Sequence, residues 1–252
     1  MKEDKNIAII FAGGVGSRMG ADIPKQFLKI YGKEIIIHTL EKFQYNDNID
    51  LIYVGCIEEY IPELEKLVKK YNITKVPEGG IIPGGKTGQE TIYRVLVKAS
   101  EENSLNSICL IHDGVRPLIT DKVINDNIES VKKYGSAITS TQAFETPIIS
   151  NDGTNIERVL SRNTVYTAQA PQSFYLKDIL RGHEIIRNSE MGYFNKRIVD
   201  SCSLMLECGY KVHLVEGNRG NIKVTTVEDY IALLANLSVE DHEQVYALNH
   251  RR

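Results

Sequence analysis

No C-x-x-C pair occurs among the four cysteines of this chain, Cys56, Cys109, Cys202 and Cys208. With Cys56 and Cys109 inside apolar runs, they read as small buried hydrophobes in a reducing compartment, not as a disulfide framework or a metal site. No apolar run approaches the roughly 20 residues of a membrane span, and Met1 to Lys5 carries no apolar signal segment, so a soluble, cytoplasmic protein is expected. Neither sign of charge dominates. Thirty Lys and Arg face 33 Asp and Glu, a net charge of -3, with the basic residues spread along the chain. That excludes a nucleic-acid footprint and confines any cationic site to a local pocket. There is no repeat, low-complexity tract or interdomain linker. At 252 residues the chain reads as one domain over 1–237, with an arm at about 142–169 and a tail over 238–252.

What is present is a glycine-rich loop, Ala12-Gly13-Gly14-Val15-Gly16-Ser17-Arg18-Met19-Gly20, followed by Pro24-Lys25-Gln26. It leaves an apolar run, Ile7 to Phe11, that reads as a buried strand. Such a loop lets backbone N–H groups approach an anion closely, and Arg18 and Lys25 add two cations. The composition suits a polyphosphate. The loop does not end in Gly-Lys-Ser/Thr, as a Walker A loop does. Nor is it the dinucleotide fingerprint, since Gly14, Gly16 and Gly20 are spaced G-x-G-x-x-x-G and Pro24 interrupts any helix opening there.

Strands and helices alternate, which predicts an α/β fold: a single Rossmann-like domain with a mostly parallel central sheet and a protruding β-arm. Strands are expected at Ile7–Ala12, Leu51–Cys56, Thr74–Pro77, Ile108–His112, Ala137–Thr141 and Lys211–Val215. Helices are expected at Ile35–Gln44, Glu58–Tyr71, Gln89–Glu101, Asp121–Tyr134, Leu176–Arg187 and Val227–Leu237. Gly135 is a suitable stop for the fourth helix. Within the arm, Pro147–Ser150 and Thr164–Thr167 read as short β-runs around the turn signal Asn151-Asp152-Gly153.

Ligands of open parallel sheets bind beyond the carboxyl ends of the strands. That rule selects Asp113 and Arg116, in His112-Asp113-Gly114-Val115-Arg116-Pro117, as either a ligand site or a structural pair; Asp113 suits a sugar hydroxyl or a metal ion. Gly84 and Gly85 form a second close-approach loop before a helix that Thr87 caps, with Glu90 placed to complete a capping box. Lys223 is expected to point away from Ile222 and Val224. His38 reads as a packed helix residue, His112 as a strand-end filler or an orienter of Asp113, and Asp200 as a helix cap.

Taken in this order, the constellations resemble the cytidylyltransferases that make CDP-ribitol and CDP-methylerythritol. Gln169-Ala170-Pro171-Gln172-Ser173-Phe174 and Asn221-Ile222-Lys223-Val224-Thr225 complete the set. The resemblance implies that a polyol phosphate, first D-ribitol 5-phosphate and alternatively 2-C-methyl-D-erythritol 4-phosphate, attacks the α-phosphorus of CTP with Mg²⁺ assisting, releasing pyrophosphate. It implies Arg18, Lys25 and Lys223 as the catalytic cations, and Ala12, Gly13, Gly14, Gly16, Gly85 and Thr91 around the nucleotide. Asp113 and Arg116 would line the acceptor site. Thr146 and Arg162 would reach the acceptor phosphate from the arm of a second subunit, in a homodimer. The chain departs from the family at Gly88, where Arg is common, at Glu145-Thr146-Pro147 and at Val199-Asp200-Ser201. Readings of another class are an NAD-dependent oxidoreductase and a catalytically silent binding protein.

Overall fold

The computed structural model describes residues 2–13, 23–194 and 197–239. The strands are β1 (Asn6–Ala12), β2 (Lys29–Ile30), β3 (Lys33–Glu34), β4 (Leu51–Cys56), β5 (Ile81–Pro83), β6 (Ile108–Asp113), β7 (Ser136–Gln142), β8 (Ile148–Ile149), β9 (Arg158–Val159), β10 (Tyr166–Tyr175) and β11 (Leu214–Glu216). The helices are α1 (Ile35–Gln44), α2 (Ile61–Lys70), α3 (Gly88–Glu102), α4 (Asp121–Tyr134), α5 (Leu176–Arg187), α6 (Ser201–Glu207) and α7 (Val227–Val239). Seven strands form the main sheet in the order β11-β7-β10-β6-β1-β4-β5. All run the same way except β10, which is antiparallel to both β6 and β7.

The sheet is covered on both faces because β1 is apolar at every position that matters. Alternate side chains of a strand point to opposite faces. Ile7 and Ile9 accordingly join the core with Ile92 and Leu96 of α3 and Ile179 of α5. Ala8 and Ile10 join the opposite core with Leu40 of α1, Leu64 of α2 and Ile124 of α4. Burying each Ile or Leu contributes roughly 1.5–3 kcal/mol. A smaller core, Ile30, Ile35, Val115, Val224 and Leu233, docks α7 and the segment before it beside β2 and β3. Among the described residues no helix is long and apolar enough to cross a membrane.

Helices α1, α4 and α5 have the bounds expected of them, and Gly135 stops α4 in a left-handed conformation, φ +82°. Three expectations are corrected. Thr74–Pro77 is not a strand. The chain there turns, and the edge strand that pairs with β4 is β5, after Gly79 at φ +69°. The second β-run of the arm, Thr164–Thr167, is not an arm strand; its last two residues open β10, and the arm's own hairpin pairs β8 with β9. Pro171, which lacks an N–H, and a register shift between Ala168 and Gln172 hide β10 from any alternation pattern. The strand expected from Lys211 begins only at Leu214. A shorter difference lies at Glu58–Tyr60, which forms a 3₁₀ turn ahead of α2 because Pro62 fixes the helix start.

A buried polar network locks the lone antiparallel strand in place. Asn127 of α4 is fully buried; its Nδ2 donates to the Val123 carbonyl and to Thr139 Oγ1, each at 2.9 Å, and its Oδ1 accepts from Ser173 Oγ at 2.9 Å. Thr139 Oγ1 in turn donates to the Pro171 carbonyl at 2.7 Å. Replacing Asn127→Ala leaves a cavity and strands the hydroxyl of Ser173. The expected destabilisation is about 2–4 kcal/mol, read as a lower denaturation midpoint.

Candidate active site

The chain moves outward from β1 to β4 and β5, then crosses back to β6 on the other side of β1. The crevice is therefore at the carboxyl ends of β1 and β6. Phe11 is in register with Asp113, so β1 and β6 end side by side. A cleft of about 530 Å³ opens there, and its lining includes Phe11, Gln89, Asp113, Gln172, Asp200 and Lys223.

Asp113 is the electrostatic centre of the cleft. It is 4% exposed. Its Oδ1 is 2.5 Å from Lys223 Nζ and its Oδ2 accepts from Arg116 Nε at 3.2 Å. Burial opposes ionisation, but Lys223 and Arg116 outweigh it and hold the carboxyl below its ordinary value. Lys223 reaches this position because Val224, fully buried, is anchored in the small core and its N–H donates to the Val115 carbonyl at 2.9 Å. The side chain of Lys223 points the other way, as expected, and remains 41% exposed at its Asp113 contact.

The same segment gathers the remaining cations and motifs. Lys25 Nζ donates to the Val224 carbonyl at 2.9 Å, and Arg116 Nη1 donates to the Asn221 carbonyl at 2.6 Å. Asn221 Nδ2 donates to the Ala170 carbonyl at 2.9 Å, and Gln169 Nε2 to the Asn218 carbonyl at 3.2 Å. Lys25, Arg116, Lys223 and the Gln169–Phe174 motif thus meet around Asn221 and Val224. Two of the three guanidinium nitrogens of Arg116 are spent on the chain itself.

The structure also places the nucleotide-side candidates. Ala12 ends β1, and its carbonyl accepts from Gln26 Nε2 at 2.7 Å. Gly13 is required by close approach, since a Cβ there would lie 2.9 Å from Thr91 Oγ1. Thr91 is itself buried; its hydroxyl accepts from the Gly85 N–H at 2.9 Å and donates to the Thr87 carbonyl at 3.0 Å. It shapes the Gly84–Gly85 loop from behind. Thr87 caps α3 as expected, but the carboxylate of Glu90 turns to the Lys86 N–H and to Arg94, so the capping box is not completed. Gly14, Gly16 and Arg18 lie outside the described residues. Thr146 and Arg162 lie exposed on the arm, away from this cleft.

Two features escaped the sequence reading. Gly80–Thr87 fits the Walker pattern G-x-x-x-x-G-K-T letter for letter. In the structure β5 occupies three of its variable positions, so no phosphate-wrapping loop joins strand to helix there. Gln172 is the other. Its Nε2 donates to Asp200 Oδ2 and its Oε1 accepts from the Cys202 N–H, both at 2.8 Å, tying α6 to the sheet. Asp200 itself makes the cap expected of it, with a complete capping box to Ser203.

His112 supports the turn after β6. Its Nε2 lies 3.0 Å from the Arg116 carbonyl and its ring meets the edge of Phe43. His38 packs against the Ile30 carbonyl. All four cysteines are free, and among the described residues no group of three His, Cys, Asp or Glu could hold a metal ion.

Comparison with known proteins agrees with this geometry. The family model IspD: 2-C-methyl-D-erythritol 4-phosphate cytidylyltransferase matches residues 6–239. The chain belongs to the IspD family. It is therefore a cytidylyltransferase, which sets aside the NAD-dependent oxidoreductase. Among IspD relatives, the ribitol-5-phosphate cytidylyltransferase of Vibrio parahaemolyticus is 48% identical over 96% of this chain and 99% of its own. The ribitol-5-phosphate cytidylyltransferase of Streptococcus agalactiae is 42% identical over 96% of this chain and 100% of its own. Of solved structures, the 4-diphosphocytidyl-2C-methyl-D-erythritol synthase of Anaerococcus prevotii superposes with a TM-score of 0.79 at 26% identity, covering 93% of this chain and 96% of that one. The IspD of Francisella tularensis does so with a TM-score of 0.74 at 26% identity, covering 93% and 99%.

Two buried histidines give the fold a pH dependence. Burial, countered only in part by the Arg116 carbonyl, pushes His112 down to about 4. Burial, with the charge of Arg187 adding to it, pushes His183 down to about 3. The unfolded chain takes up these protons near pH 6.5, so below that the unfolded state binds more protons than the native one. Stability present above pH 6.5 is expected to fall as the pH drops towards 4, by roughly 1.4 kcal/mol per unit for each histidine. Thermal melting across that range checks this; a flat profile would contradict two neutral buried imidazoles.

Proposed function

We propose that this chain transfers the cytidylyl group of CTP to D-ribitol 5-phosphate, giving CDP-ribitol and pyrophosphate. The observation that carries the substrate assignment is the contrast in identity: 42–48% to relatives named for ribitol 5-phosphate, against 26% to solved structures named for methylerythritol. A phosphate oxygen of the acceptor forms a bond to the α-phosphorus of CTP while the bond from that phosphorus to the bridging oxygen of the β-phosphate breaks. Pyrophosphate leaves with the bonding pair. Such a transfer needs positioning and charge neutralisation more than a nucleophilic side chain. Lys223 and Lys25, which meet at Val224, fit the charge of the reacting phosphates, with Arg18 as the third cation. Gly13, Gly14, Gly16 and Gly85 are assigned to the nucleotide with Ala12 and Thr91. Asp113 and Arg116 are assigned to the acceptor.

Mg²⁺ would be held chiefly by the phosphates of CTP and by water, with Asp113 the one buried carboxylate among the described residues of the cleft that could add an oxygen, in exchange for its contact with Lys223 or Arg116. When bound, the ion would add charge neutralisation on the triphosphate. Thr146 and Arg162 are assigned to the cleft of a second subunit, because the arm that carries them also exposes Phe144, Ile148, Ile156 and Val159. The fold is read as one domain to residue 237 with this arm and a short tail.

Incubation with CTP, Mg²⁺ and each polyol phosphate tests the reaction. Pyrophosphate release is expected with D-ribitol 5-phosphate; release only with 2-C-methyl-D-erythritol 4-phosphate would sink the assignment. Lys223→Ala is expected to lower kcat about 10²–10³-fold. Shared sites predict complementation: mixing inactive Lys223→Ala and Arg162→Ala proteins should restore up to roughly a quarter of wild-type activity, since each mixed dimer of a symmetric pair retains one intact site.

A further inference from the structure

Gln89 is a polar side chain of the cleft with no part in the reaction described above. Gln89, the second residue of α3, is 9% exposed, and its Oε1 is buried with no hydrogen-bond partner among the described residues. Gln172, which lines the same cleft, uses both ends of its amide, on Asp200 and on the Cys202 N–H. A buried amide oxygen left unpaired costs stability, and a methionine would fill similar space without that cost. Structure alone gives no reason for a glutamine here. Beside it, Gly88 borders open space, since a Cβ at that position would meet nothing within 4 Å. Ile92 and Ile111, which line the same cleft, carry no polar side-chain atom that could pair with Gln89.

The division of polar groups indicates what the amide meets. A phosphate presents only acceptors, and Lys223 and Arg116 answer those. A hydroxyl is both donor and acceptor, and a glutamine amide offers one of each. The Gly13 and Gly84–Gly85 approach, folded around Thr91, is not part of this cleft wall. We propose that Gln89 is a specificity-determining residue that hydrogen-bonds a hydroxyl of the acceptor's polyol chain. This rests on the polyol-phosphate reading above. The unpaired oxygen of the free protein is then satisfied only when the acceptor is bound. An acceptor lacking that hydroxyl would leave the amide buried and unpaired, which is how a polar site rejects an analogue.

The test uses full-length wild-type and Gln89→Met proteins, with KM measured separately for CTP and for D-ribitol 5-phosphate, and thermal melting of both. For Gln89→Met we expect the melting temperature unchanged or raised, KM for ribitol 5-phosphate raised about tenfold or more, and KM for CTP within about twofold. Deoxyribitol 5-phosphates, each lacking one hydroxyl, provide the second measurement. One of them should be penalised in the wild type but no further penalised in Gln89→Met. An unchanged acceptor KM, a rise confined to CTP, or a lowered melting temperature with both substrates affected alike would overturn the proposal. If the wild type uses a different polyol phosphate, the ribitol assignment falls and the same comparison on that acceptor decides the role of Gln89.

Discussion

The ion cluster at Asp113 is the constraint from which the site follows. A carboxylate withdrawn from water costs several kcal/mol unless cations and hydrogen bonds compensate it. Two cations must therefore come to the end of β6, and each brings a segment with it. Arg116 closes the four-residue turn on its own strand and grips the Asn221 carbonyl. Lys223 brings the chain that follows β11, held by Val224 and by Asn221 against β10. The cluster is stable because its charges are paired, yet one of them is not fully enclosed. Lys223 keeps 41% of its side chain exposed, so the charge that balances Asp113 also faces the open cleft.

Much of this was legible in the sequence where one local signal decided the outcome. Ile7–Ala12 and Leu51–Cys56 are apolar runs of strand length, and both are strands. Asp121–Tyr134 opens behind Thr120 and stops at Gly135, and both caps are used. The alternation around Lys223 placed its side chain opposite Val224, and the packing agrees. The family was readable from four motifs, and the described parts of them meet around Asn221 and Val224.

What stayed hidden depends on long-range pairing. Strand β10 contains Pro171 and a register shift, and only β6 and β7 on either side make it a strand. The edge strand β5 is chosen by β4, not by its own three residues, while Thr74–Pro77 has the right composition and no continuous ladder. The Walker-like run at Gly80–Thr87 shows the reverse error: correct letters in the wrong topology. In the sequence Gln172 is one letter of a motif and Gln89 an ordinary helix residue. Only their different hydrogen bonding in the cleft separates a structural clamp from an unpaired amide.

The direction of β10 has a consequence for the arm. Gln142, the last residue of β7, is in register with Tyr166, the first of β10. The two ends of the arm are thus neighbours in one ladder, and the sheet registers the insertion as little more than a hairpin turn. Loop closure has already been secured at its base, so lengthening or reshaping the hairpin adds only a slowly growing entropic term. A change in the arm's length would therefore leave the core's ladder intact, and the strand that leads out of it would keep Gln169 and Gln172 in place.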